Sequence, residues 1–182
     1  DHNYQLNWES GCFFQVNAQQ NMQLIATALH DLDMPAPCSA LDLFCGMGNF
    51  SVPLVLAGAQ VYGVEHNRHS IHWAAANNSA AGLTTARFHA ADVEQELHRL
   101  VKRKARFDCI LLDPPRQGLG RAAAFLPQLL PERILSISCD PATLARDLAL
   151  IVKGGYRISR ITPVDMFPQT HHVESVALLE RN

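Results

Sequence analysis

The strongest constraint in this chain is an alternation. Short β-rich apolar runs are separated by stretches with helical apolar spacing, a pattern that builds βαβ units around a mostly parallel sheet. Strands are read at Ala40–Phe44, Val61–Glu65, Ala86–Ala90, Phe107–Leu112 and Arg133–Ser138. Helices are expected over 49–57, 68–81, 93–104, 120–130 and 142–152. An earlier helix carries Met22, Ile25, Ala26 and Leu29 at helical spacing, with Asn17 placed to cap it. Gly154-Gly155 breaks the last helix. Two more β-like runs follow, Tyr156–Thr162 and Val173–Leu179, joined by a Pro-containing loop and able to pair as an antiparallel hairpin. No internal repeat, low-complexity tract or linker interrupts the pattern, so residues 1–182 read as one α/β domain.

Composition narrows the class. Hydrophobic residues make up 48% and charged residues 18%, ordinary for a soluble globular protein. No apolar run approaches the ~20 residues needed to cross a membrane. The chain opens with Asp-His-Asn-Tyr, with neither an initiator Met nor a signal-peptide start, and is expected to be an excised domain whose upstream part is missing. Cys12, Cys38, Cys45, Cys109 and Cys139 are scattered, odd in number and contain no CxxC pair, which argues against a zinc site or a disulfide framework. A reducing, cytoplasmic setting is expected. The net charge of −2 is low for a free-standing nucleic-acid binder. Only His98–Arg106 is locally basic, and it reads as a solvated helix end before a buried strand.

One end of the pattern looks built for a nucleoside cofactor. Leu41-Asp42-Leu43-Phe44-Cys45-Gly46-Met47-Gly48-Asn49-Phe50 is a buried strand running into a glycine-rich turn and a helix. Glycines let the backbone approach a ligand, and a helix N-terminus offers free N–H groups. Glu65 ends the next strand, where a carboxylate can accept from ribose hydroxyls, and Asp92 follows the third, near where an adenine would lie. A dinucleotide site would need a third glycine, near whose place stands Val52. A plain structural turn is the other reading of the GxG loop.

The other end carries reactive groups. In Asp113-Pro114-Pro115-Arg116-Gln117-Gly118 the prolines hold the preceding residues extended, so Asp113 should point rigidly into a cleft. Enzymes that methylate exocyclic amines place a base-stacking aromatic where this chain has Arg116. Cys139 follows the fifth strand, with Asp140 as an N-cap and Pro141 as the first helical residue, so the helix dipole should favour its thiolate. Farther on, His171-His172 suggests a metal, but no third ligand is apparent and none is expected. Glu174 starts an otherwise apolar strand, where a carboxylate is costly to bury unless paired or functional, which makes it a candidate base.

Taken together, LDLFCGMGNF, DPPRQG, SCDPATLARD and DMFPQTHHVES resemble the RNA uracil-5 methyltransferase family. The likeness is strongest to the branch that modifies 23S ribosomal RNA and carries an iron–sulfur cluster, and it runs from Phe13 to the C-terminus. It implies a class I methyltransferase Rossmann-like fold: a mostly parallel seven-stranded sheet with a C-terminal antiparallel hairpin. It implies S-adenosyl-L-methionine as cofactor, held by Gln15, Phe44, Asn49, Glu65 and Asp92, with Asp113 between cofactor and uracil. Phe13 would stack on the flipped base, Arg116 would sit on the substrate side, Cys139 would be the nucleophile and Glu174 the base. The family's N-terminal RNA-binding region and cluster-ligating cysteines have no counterpart here. Relatives usually carry Asn at Asp140, and an added carboxylate there would raise the neighbouring thiol's pKa. Gln169 often corresponds to a His, with little expected consequence.

The chemistry explains the set. Uracil C5 is too weak a nucleophile to attack a sulfonium methyl unaided, and a thiolate adding at C6 makes it enolate-like. A base must then remove the C5 proton before the thiolate leaves, and the target uracil must leave its stack to reach such a pocket. The expected enzyme is a cytoplasmic monomer acting on RNA. An exocyclic-amine methyltransferase and a non-catalytic RNA- or nucleotide-binding module are the other readings.

Overall fold

The computed structural model describes residues 4–166, 169–170 and 173–182. The elements are α1 (Ala18–Leu32), β1 (Cys38–Leu43), α2 (Ser51–Leu56), β2 (Ala59–Glu65), α3 (Arg68–Ala80), β3 (Ala86–Ala90) and α4 (Val93–Lys102). After β4 (Cys109–Leu112) come a 3-10 helical segment (Gly120–Leu129), β5 (Arg133–Ser138), α5 (Pro141–Lys153), β6 (Tyr156–Val164) and β7 (Glu174–Arg181). They form one sheet in the order β3-β2-β1-β4-β5-β7-β6. The first five strands run parallel, and β7 lies antiparallel to both β5 and β6. This is the seven-stranded sheet, with its C-terminal antiparallel hairpin, expected from the sequence.

Period-2 patterning explains why the central strands lie where they do. Along β1, Leu41 and Leu43 join one core while Ala40 faces the other. Every residue of β4 is buried, as a strand covered on both faces must be. One core packs α4, the 3-10 segment and α5 against the sheet, and the other packs α1 and α2. Chain order reverses between β1 and β4, so a crevice opens beyond their carboxyl ends.

Local chemistry sets the helix starts. Asn17 accepts from the Gln20 amide (3.2 Å), Asp92 from Gln95 (3.0 Å), and Asp140 from Ala142 and Thr143 (both 3.0 Å). Some details differ from the sequence reading. α1 buries Leu24, Ile25, Ala28 and Leu32, while Met22 is 65% exposed and Ala26 is exposed. The apolar face is therefore rotated from the one expected, because α1 packs against the β5–β7 side of the sheet. Residues 120–129, within the helix expected over 120–130, coil as a 3-10 helix with Pro127 inside. Phe107 precedes β4 and only packs against the core edge.

Candidate active site

A cleft of about 600 Å³ opens at the carboxyl ends of the parallel strands. Strand ends place the functional side chains on two of its sides, and an N-terminal strap forms the third. On the β1 side the chain turns through Phe44, Gly46 and Gly48, all at positive φ. For Phe44, at +61°, that is an unusual conformation for a non-glycine residue and marks a backbone shaped for something other than its own comfort. Glu65, at the end of β2, accepts from the amides of Gly46 (3.3 Å) and Asn67 (2.8 Å), tying two loops together at the cleft wall. Each carboxylate oxygen keeps a further lone pair for a ligand hydroxyl. Beneath the loop, Asp42 is fully buried, takes the Ser51 hydroxyl at 2.5 Å and leaves its other oxygen without a partner among the described residues. Burial pushes the Asp42 carboxyl up to about 7, with Ser51 opposing and Glu65 adding to the rise.

The second wall holds the reactive groups. Pairing of Ser138 with Ser175 across β5 and β7 sets Cys139 and Glu174 at matching positions on the same edge of the sheet. Glu174 is 9% exposed, and its Oε2 has no partner among the described residues. Burial raises its pKa. Asp113 sits at the end of β4, its amide donating to the Leu43 carbonyl at 3.4 Å. Burial pushes its carboxyl up to about 8, with Glu174 and then Asp42 contributing. The Cys139 thiol is also raised, first by burial and then by Glu174; a backbone amide and Arg116 oppose the rise and Asp113 adds to it. This corrects two expectations. The helix start after Cys139 does not leave the thiol acidic, because burial outweighs it. The carboxylates that raise it are Glu174 and Asp113, not Asp140. Asp140 is occupied in capping α5, its own pKa lowered first by the Thr143 amide, and it stands 4.0 Å from the Arg116 guanidinium.

An N-terminal strap closes the cleft's third side, contributing Gly11, Phe13 and Gln15. It is held to α3 by the reciprocal pair Asn7–Asn77 (2.7 and 2.9 Å) and by Asn67 donating to the Gly11 carbonyl (3.0 Å). Phe13 is 75% exposed on the rim, its ring open to a planar partner.

The structure thus brings Phe13, Gln15, Phe44, Glu65, Asp113, Arg116, Cys139 and Glu174 to one cleft. It does not bring Asn49 or Asp92 to the lining. Asn49 exchanges two hydrogen bonds with Asn21 (2.8 and 3.0 Å), and the exposed Asp92 caps α4. His66, Asn67 and Ser70 line the cleft unanticipated. Asn67 was findable as the N-cap of a helix starting at residue 68. The His171-His172 pair, Phe167 and Pro168 lie outside the described residues. Among the described residues no group of three His, Cys, Asp or Glu side chains could hold a metal ion.

The fold is shared with methyltransferases of very different sequence. A precorrin-6y C5,15-methyltransferase from Geobacter metallireducens superposes with a TM-score of 0.74 at 12% identity, covering 97% of this chain and 94% of that one. The sheet order is therefore an α/β fold that methyltransferases share. The chain belongs to the tRNA (uracil-5-)-methyltransferase family, whose model matches residues 1–182. The tRNA (uracil-54, C5)-methyltransferase of Pyrococcus abyssi, solved with S-adenosyl-L-homocysteine, is 32% identical with a TM-score of 0.78, covering 93% of this chain and 40% of that one. A curated relative from Shewanella halifaxensis, named 23S rRNA (uracil(1939)-C(5))-methyltransferase RlmD, is 42% identical over 180 residues, which is 99% of this chain and 40% of that protein. The relative of the same name from Pseudomonas syringae pv. tomato is 43% identical over 178 residues, 98% of this chain and 40% of that protein. The chain thus spans about two fifths of the length of these curated relatives.

Proposed function

We propose that this domain transfers a methyl group from S-adenosyl-L-methionine to C5 of a uracil in RNA, with ribosomal RNA as the substrate class its curated relatives suggest. The observation that carries the reading is the placement of Cys139 and Glu174, each one residue beyond the Ser138–Ser175 pair, at one lip of a cleft whose other lip is the Gly46–Glu65 wall. A nucleoside cofactor fits that wall: a carboxylate with spare lone pairs, a turn held at positive φ and room for both ligands. When bound, the cofactor supplies an electrophilic methyl group.

The protein's own residues do the rest. Cys139, once deprotonated, forms a bond to C6 and drives an electron pair to C5 and O4. Glu174 accepts the C5 proton after methylation, and the returning pair expels the Cys139 thiolate. Its raised pKa suits it to hold that proton. Asp113 faces the ring, and Phe13 offers a stacking surface for a base drawn out of its helix. Gln15 and Phe44 flank the cofactor, whereas Asn49 holds α1 and Asp92 caps α4 beside the cleft. The same reading places a monomeric enzyme in the cytoplasm, where its RNA is. Among the described residues no helix is long and apolar enough to cross a membrane.

RNA carrying 5-fluorouracil at the target tests the reading, because fluorine cannot leave as a proton does. Wild type should form an adduct that survives denaturation, and Cys139→Ala should not. An adduct of equal yield in the alanine protein would assign the nucleophile elsewhere.

A further inference from the structure

Two loops that serve different strands are joined by polar groups of one helix. The loop after β4 carries Asp113 and Arg116, and the helix α5 starts at the residue after Asp140. The Thr143 hydroxyl donates to the Arg116 carbonyl at 3.0 Å. Arg146 Nη2 donates to the Gln117 carbonyl at 2.6 Å. Asp147 accepts from the Leu119 amide at 2.6 Å and from the Gly120 amide at 3.0 Å. The Arg146 Nε holds Asp147 Oδ1 at 2.9 Å, turning the carboxylate toward the loop. Residues 143, 146 and 147 lie on one face of α5, spaced by about a helical turn.

Asp147 is 4% exposed, and a buried carboxylate is costly unless its lone pairs are filled. Here they are filled by the loop. The fit leaves no slack: a Cβ on Gly118, at φ +67°, would stand 2.3 Å from Asp147 Oδ2 and 2.8 Å from Arg146 Nη2. Neither Arg146 nor Asp147 lines the cleft. Both close the SCDPATLARD motif and have no part in the chemistry above.

We propose that Asp147, seated by Arg146, is a positioning residue that clamps the Asp113–Gly120 loop to the helix that follows Cys139, fixing Arg116 and Asp113 against the thiol. The proposal rests on the reading of Cys139 as nucleophile. Arg116 is long and largely exposed, so its anchored backbone, together with Asp140 at 4.0 Å from its guanidinium, sets where its charge lies. A displacement of about 1 Å in such a group can cost on the order of 10²-fold in rate.

The test uses Asp147→Asn, which keeps the volume but sets an amide NH2 against a backbone N–H. Alkylation of Cys139 by iodoacetamide is followed against pH by peptide mass, without RNA, beside turnover and calorimetric S-adenosylmethionine binding. With Arg116 released, the alkylation midpoint should move to higher pH and kcat should fall about 10–100-fold. Cofactor Kd should stay within about threefold. Thr143→Val, which removes the bond to the Arg116 carbonyl, should shift the midpoint in the same direction by less, and it serves if the Asn variant does not fold. A lower melting temperature with an unchanged midpoint and kcat would overturn the proposal. Because alkylation needs no turnover, a midpoint shift in a protein whose Cys139→Ala variant stays active would sink the nucleophile assignment and leave the clamp standing.

Discussion

The two walls of the cleft are made differently. The β1–β2 wall is shaped by backbone: Phe44, Gly46 and Gly48 at positive φ, and Glu65 fixed by two main-chain amides. The β4–β5–β7 wall is made of titratable side chains, with Asp113, Glu174 and Cys139 all pushed toward their protonated forms. A wall that must match an unchanging ligand can be built once, from chain conformation. A wall that must trade protons needs groups whose proton affinity is tuned, and burial raises that affinity for all three. The first wall should therefore respond to mutation in binding, and the second in rate.

The largest expected effect is on the second wall. Cys139→Ala should lower turnover by about 10⁴-fold or more, as removal of a covalent nucleophile does elsewhere. S-adenosylmethionine affinity, read by calorimetry, should stay near wild type. A matching loss of cofactor affinity would erase the division between walls. Glu174→Gln should come next, with turnover falling about 10²–10⁴-fold. Since addition and methyl transfer precede proton removal, this variant should accumulate a methylated protein–RNA species on denaturing gels with ordinary uracil. Release of product at the wild-type rate, with no such species, would move the base to another residue, His172 being the next to substitute.

On the first wall, Glu65→Ala removes an acceptor that spans two loops. Loss of one or two hydrogen bonds to a charged group corresponds to about 10–100-fold in cofactor affinity. At saturating cofactor, kcat should change little. A variant that binds normally and turns over slowly would put Glu65 on the wrong side of the comparison.

The sequence showed the two walls unequally. β-rich runs bounded by turn residues placed all seven strands, and Asn17, Asp92 and Asp140 before their helices marked real caps. Cys139 and Glu174 were readable as a residue at a strand end and a lone carboxylate opening an apolar strand. Their juxtaposition was not readable, because it depends on the antiparallel register of β7 against β5, set by pairing far apart in sequence. The electrostatics were misjudged for the same reason. Asp140 is adjacent in sequence but turned into its helix, whereas Glu174 and Asp113 arrive from other strands. Asn49 and Asp92 sat in suggestive places along the chain; the structure pairs one with Asn21 and uses an oxygen of the other to cap α4, outside the cleft lining. The 3-10 segment escaped because its apolar spacing looks helical and only Pro127 hinted otherwise.

The smallest expected effect concerns Asp42, which lies under the first wall and couples to the second. Its carboxyl is raised to about 7, chiefly by burial with Glu65 contributing, and it in turn helps raise Asp113 to about 8. In the unfolded chain both would titrate near 4. Between about pH 4 and 8 these two groups therefore bind more protons in the folded protein than in the unfolded one. Their contribution to stability is full below the unfolded value and is lost as pH rises through the folded values. Asp42→Asn cannot ionise, so its melting temperature should fall less steeply from pH 5 to pH 8. The difference should amount to several degrees, given about 2–4 °C per kcal/mol for a domain of this size. Glu65→Gln should flatten the curve too, by less, because it removes only the minor charge contribution. Parallel curves for wild type and Asp42→Asn would mean that Asp42 is ionised and otherwise compensated in the fold. Raised proton affinity would then be confined to the wall that carries Cys139.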